Sequence, residues 1–158
     1  MEQDIKKWME KVKGKEFDLS KDEDLSIALM NLISLEEHFY FTAMKTDNSS
    51  YLGMLNSVRS LRKNLLKRFV KDAKGEEWCI SKHLLAASMR LMEVGTKELG
   101  TGNEKEATFY FKEAFELYSL FFAINLKAVE IKEIKSDEKG LKSRFSDIVK
   151  KLVDCCKE

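Results

Sequence analysis

The stretch "EEWCISKHLLAASMRLMEVG", residues 76–95, sets Cys79 and His83 four residues apart, in a chain with only two histidines. On a helix this spacing puts both side chains on one flank, where they could share a ligand. A thiolate and an imidazole suit zinc or copper, and Glu36 could add a third donor. No second cysteine pair, HExxH or Glu-x-x-His accompanies them, and Arg62 beside such a site would repel a cation. A helix N-terminus and an imidazole also favour a nucleophilic thiolate. Glu76 and Glu77 oppose that effect, and no orienting residue or oxyanion hole can be read, so no catalytic residue is assigned. The glycines are scattered and build no phosphate loop, and the plainer reading of the pair is a packed cysteine beside a hydrogen-bonded histidine.

Polar residues that interrupt apolar faces carry more information. At about 100° per residue, Leu25, Leu29, Leu32, Phe39 and Ala43 form one stripe with Glu36 at its centre. In the following segment Tyr51, Leu55, Val58, Leu65 and Phe69 form another, with Arg62 in its middle and Arg59 toward one flank. Folded about "DNSS", the two segments bring Glu36 level with Arg62. Burying either charge alone costs several kcal/mol, whereas a guanidinium can hold a carboxylate through two parallel hydrogen bonds. Tyr118 and Asn125 interrupt the face of Ala107, Phe111, Ala114 and Phe122 in the same way. The expectation is a polar layer of Glu36, Arg62, Tyr118 and His83. It serves either as a cluster fixing helix register or as a ligand pocket that also draws on Arg59, Asn125 and Cys79.

The elements that must position these residues are helices. Zero proline and 35% charged residues among 44% hydrophobic ones describe a globular chain of uninterrupted helices. Ile5, Trp8, Met9 and Val12 predict a short amphipathic helix over 3–13. "SKDE" from Ser20 has capping-box spacing and opens a helix to about Met44; others follow over about Tyr51–Val70 and Glu77–Gly100. Asn103 with Glu106 caps a long fifth helix to about Lys132, and Leu141, Phe145, Ile148 and Leu152 place a last amphipathic helix over 138–157. Short connections make neighbours antiparallel. The expected fold is all-α, one domain over 1–158, with a main bundle over 21–132 and five or six helices in total.

Within that bundle Leu91, Val94 and Gly95, the turn at Gly102 and Asn103, and Ala107, Phe111 and Ala114 follow one spacing. Residues 88–121 thereby resemble a single hairpin of the tetratricopeptide repeat family. The resemblance implies a helical hairpin used in protein–protein contact. Glu98 and Ser119 depart from the pattern, and no second copy lies upstream.

A formal charge of +1 draws the chain to neither nucleic acid nor an anionic membrane. The basic run "RSLRKNLLKR" is interleaved with core leucines and reads as a solvated face. Three cysteines, two of them adjacent at Cys155 and Cys156, build no disulfide framework, and no apolar run approaches a membrane span, so the expected compartment is the cytoplasm. Phe41, Phe109 and Leu120 fall outside the core stripes and offer an apolar patch. The leading reading is a non-catalytic bundle that binds a protein or a second copy of itself. The alternative is a small-ligand or metal-binding bundle, enzymatic if catalytic at all, that uses Glu36, Arg62, His83, Cys79 and Tyr118. No cofactor is required by the sequence.

Overall fold

A computed structural model describes residues 19–73 and 75–127. Four α-helices account for most of them: α1 (Ser20–Thr46), α2 (Ser50–Phe69), α3 (Glu77–Gly100) and α4 (Glu104–Asn125). No strand occurs among the described residues, and the protein is all-α. The expected helices over 3–13 and 138–157 lie outside the described residues, so the expected total of five or six becomes four here.

Each boundary has a local cause. Asp22 and Glu23 sit in the first turn of α1, where the helix dipole favours acids. The expected cap at Ser20 is corrected: Ser20 is already helical, and Leu19 precedes it without a side-chain cap. Asp47 ends α1 in the left-handed region at φ 51°, and Asn48 Oδ1 accepts from the Ser50 N–H at 3.0 Å to start α2. Gly102, at φ 80°, turns the chain between α3 and α4. Asn103 does not cap α4 through its side chain; its amide donates to Glu98 Oε2 at 2.9 Å instead. Helix α4 ends at Asn125 rather than at the expected Lys132. Asn125 Nδ2 donates to the Phe121 carbonyl at 2.8 Å, and Lys127 then takes φ 55°, which breaks the helix.

The helices pair as two antiparallel hairpins, α1 with α2 and α3 with α4. The first is registered by Glu36 against Arg62 and by the Phe39 and Tyr51 rings, 6.4 Å apart. The second is registered by three contacts along its length: Ser81 with Asn125, Ser88 with the Ala114 carbonyl, and Gly95 with Phe111. At Gly95 the approach is so close that a Cβ would stand 2.7 Å from Phe111 Cε1. The tetratricopeptide resemblance needs correcting here. A repeat of about 34 residues holds two short helices, whereas α3 and α4 have 24 and 22 residues.

The hairpins cross. α1 meets α4 where Ser26 contacts Tyr118, and meets α3 eight residues later where Ser34 contacts Arg90. Eight residues advance the helix by about 12 Å, close to the roughly 8–10 Å between neighbouring helix axes. Tyr118 and Arg90 stand within about one turn of each other in the register of the second hairpin. The second hairpin therefore lies steeply across the first. The core forms in the crossing, from Leu29, Met30, Ile33, Leu66, Val70, Leu85, Phe121 and Phe122, with the Phe69 ring 4.7 Å from Phe121.

Candidate functional site

Arg62 and Glu36 meet face to face. Arg62 Nε donates to Glu36 Oε1 at 2.7 Å and Nη2 to Oε2 at 3.2 Å. The Arg62 side chain is 4% exposed and Glu36 13%, so the guanidinium is buried and the carboxylate keeps an edge in water. Two parallel bonds of this kind fix direction as well as distance.

Tyr118 does not join them. Its hydroxyl lies 2.6 Å from Ser26 Oγ, ten residues before Glu36 and so about 15 Å away along α1. Ser26 Oγ donates to the Glu23 carbonyl at 2.6 Å, so the tyrosine donates to Ser26. Burial pushes the Tyr118 phenol up to about 12, and the nearby Glu23 and Asp24 carboxylates add to the rise. Asn125 forms a third polar contact, donating to Ser81 Oγ at 3.0 Å. The expected single layer is thus three separate contacts, each joining a different pair of helices.

His83 belongs to none of them. It is exposed, and so are Cys79 and Arg59. The reason is the register of α3. Its α4-facing row is Ser81, Ser88 and Gly95, all buried. Cys79, His83, Ala86 and Arg90 run along the opposite flank. Cys79, His83 and Glu36 do not converge, and among the described residues no three His, Cys, Asp or Glu side chains stand together as a metal site. Every buried side-chain nitrogen or oxygen there has a hydrogen-bond partner, leaving none aimed at a ligand.

The crossing leaves other surfaces open. Ser26, Met30, Ile33, Glu37, Tyr40 and Met44 follow one four-three spacing along α1. The first three are buried under the second hairpin, while Tyr40 is 49% and Met44 57% exposed. On α2, Leu66 is buried, as is Val70 just past its end, while Arg59 and Leu52, one and two heptads before Leu66, are exposed. The face that packs in the crossing thus runs on uncovered to the tip of the first hairpin. Beside it, where α3 passes over α1, a cleft of about 550 Å³ is lined by Asn31, Ser34, His38 and Phe41 of α1 and by Arg90 and Glu93 of α3, among others. Arg90 spans its floor, donating to Ser34 Oγ at 2.7 Å and standing 3.9 Å from Glu37.

The sequence reading placed Phe41, which is exposed and lines the cleft, in an apolar patch, and missed the rest of both surfaces. His38 points away from the stripe used to orient α1, and the serines of the crossing carry no hydrophobic signal. The four-three run from Ser26 to Met44 was the available clue. Together the fold and its contacts define an all-α bundle of two crossed hairpins. Compared with protein-family models, curated proteins and solved structures, the chain matches none of them.

Proposed function

We propose that this chain is a non-catalytic helical scaffold that binds a protein partner or a second copy of itself through the uncovered half of its first hairpin. One observation carries the reading. A single face of α1 and α2 is core in the crossing and bare beyond it, with Tyr40, Met44 and Leu52 all more than two-fifths exposed. Exposed apolar side chains that continue a packed face are ordinary partner sites. Cytoplasmic placement, the flanking helices over 3–13 and 138–157 and use of the α3–α4 hairpin in protein contact belong to the same proposal.

The test is the joint variant Tyr40→Ser with Met44→Ser. Wild type should run above monomer mass, pure or in an extract of its source cells, and the variant should return to monomer mass with its melting temperature unchanged. A wild type that runs as a monomer in both settings removes the reading.

The cleft favours a second reading, small-molecule binding, because its volume lies in the range of roughly 300–1,000 Å³ usual for ligand sites. Such a ligand would touch His38, Arg90 and Glu93 rather than Glu36, Arg62, Cys79, His83 and Tyr118. Titration calorimetry with His38→Ala as control would decide it. The metal version, zinc or copper on Cys79, His83 and Glu36, has no convergent donors behind it.

A further inference from the structure

The uncovered half of the first hairpin has the dimensions of a seat for one more helix. Along α1 the crossing helices are spaced by eight residues, α4 at Ser26 and α3 at Ser34. One further step of the same length, about 12 Å, falls between Tyr40 and Met44. Tyr40, Met44 and Leu52 form the floor of this seat, and Arg59 and Lys63, both exposed, flank it. Arg90 and Glu93 of α3 stand beside it, lining the cleft together with Phe41 and Lys45 of α1. The α2 side of the seat is basic; across residues 36–63 four Lys or Arg stand against three Asp or Glu, and one of each, Arg62 and Glu36, are taken up by their mutual pair. All five charged residues of α2 are basic, and of these only Arg62 has an ion-pair partner among the described residues.

Its occupant should therefore be an acidic helix with an apolar anchor. The segments outside the described residues fit poorly, since 138–157 carries more basic than acidic residues and 3–13 has no acidic excess. The second hairpin fits better. Its tip arm, residues 92–113, holds five acidic and three basic residues. On the face of α4 turned away from α3, Phe109 is 52% exposed between Glu106 and Glu113, three residues after one and four before the other, so all three share a side.

We infer that the α4 edge of one copy, anchored by Phe109, seats across Tyr40, Met44 and Leu52 of a second copy, with Glu106 and Glu113 facing Arg59 and Lys63. This rests on the interaction reading above and names its partner. Seat and insert are different surfaces, so the contact is head-to-tail and builds a ring or a chain rather than a two-fold dimer. Added salt weakens the charged rim and leaves the Phe109 anchor.

Sedimentation velocity on the pure full chain tests it. Wild type should form species above monomer at tens of micromolar. Arg59→Glu with Lys63→Glu spoils the seat, Glu106→Lys with Glu113→Lys spoils the insert, and each variant alone should be monomeric. Mixed, the two should assemble in alternating order, because the wild-type insert of one meets the wild-type seat of the other and the reversed insert meets the reversed seat. All four changes in one chain should restore assembly. A monomeric wild type, or a mixture that stays monomeric, overturns the proposal. If the pure chain is monomeric yet runs larger in cell extract, the partner is another protein: the second copy falls and the interaction reading stands.

Discussion

Tyr118 and Ser26 are ninety-two residues apart in sequence and joined by a 2.6 Å hydrogen bond that fastens α4 to α1. The phenol is held neutral at a pH where an exposed tyrosine ionises, its value pushed from 10.0 to about 12. Above pH 10 the unfolded chain loses this proton while the folded chain keeps it, so the unfolded state binds fewer protons and stability falls with rising pH. The contribution is complete below pH 10 and lost by about pH 12. Tyr118→Phe should cost about 1 kcal/mol at neutral pH and flatten the alkaline decline, measured by urea unfolding across that range. An unchanged slope would exclude Tyr118 as its source.

Arg62→Ala strands the Glu36 carboxylate against apolar neighbours. Because that carboxylate keeps an edge in water, the loss should sit at the lower end for broken buried pairs, about 3 kcal/mol. Replacing both residues by leucine should cost less than the two single truncations added together. If Arg62→Ala and Glu36→Ala each moved stability by less than about 0.5 kcal/mol, the pair would be an ordinary surface contact.

At Gly95 two effects oppose each other. Alanine raises helix propensity by about 1 kcal/mol, but its Cβ would stand 2.7 Å from the Phe111 ring. Overpacking costs roughly 1–3 kcal/mol, so Gly95→Ala should destabilise by about 1 kcal/mol on balance. Adding Phe111→Leu should make the alanine neutral or favourable, which thermal unfolding of the four combinations would read.

Cys79 is exposed on the free flank of α3. In a chain with Cys155→Ser and Cys156→Ser, its thiol should react with a small disulfide reagent without waiting for unfolding, and added zinc should not slow the reaction. Protection by zinc would revive the metal reading.

How much of this could be read beforehand depended on what each helix packs against. The Glu36–Arg62 contact was legible because two charges broke strong apolar stripes and counting from the "DNSS" turn set them level. The place of His83 was not. The tightest face of α3 is made of Ser81, Ser88 and Gly95, small residues that a hydrophobic pattern ignores although they admit the closest approach. A hydroxyl that bonds a backbone carbonyl, as Ser88 does to Ala114 at 2.8 Å, is satisfied in a helix interior and advertises nothing. The crossing was hidden for a further reason. α1 buries two faces, one toward α2 and one toward the second hairpin, and a single-stripe reading keeps only the first.

The crossed arrangement also orders events in time. Each hairpin is contiguous in sequence and closes on neighbours a few dozen residues away, as Arg62 on Glu36 and Ser88 on Ala114 each span 26 residues. The crossing needs partners farther apart, 56 residues for Ser34 with Arg90 and 92 for Ser26 with Tyr118. Loop closure over such spans is the slow part of chain organisation, so the hairpins should zip first and dock last. A kinetic intermediate with both hairpins paired and Tyr118 still open to solvent is what that order produces.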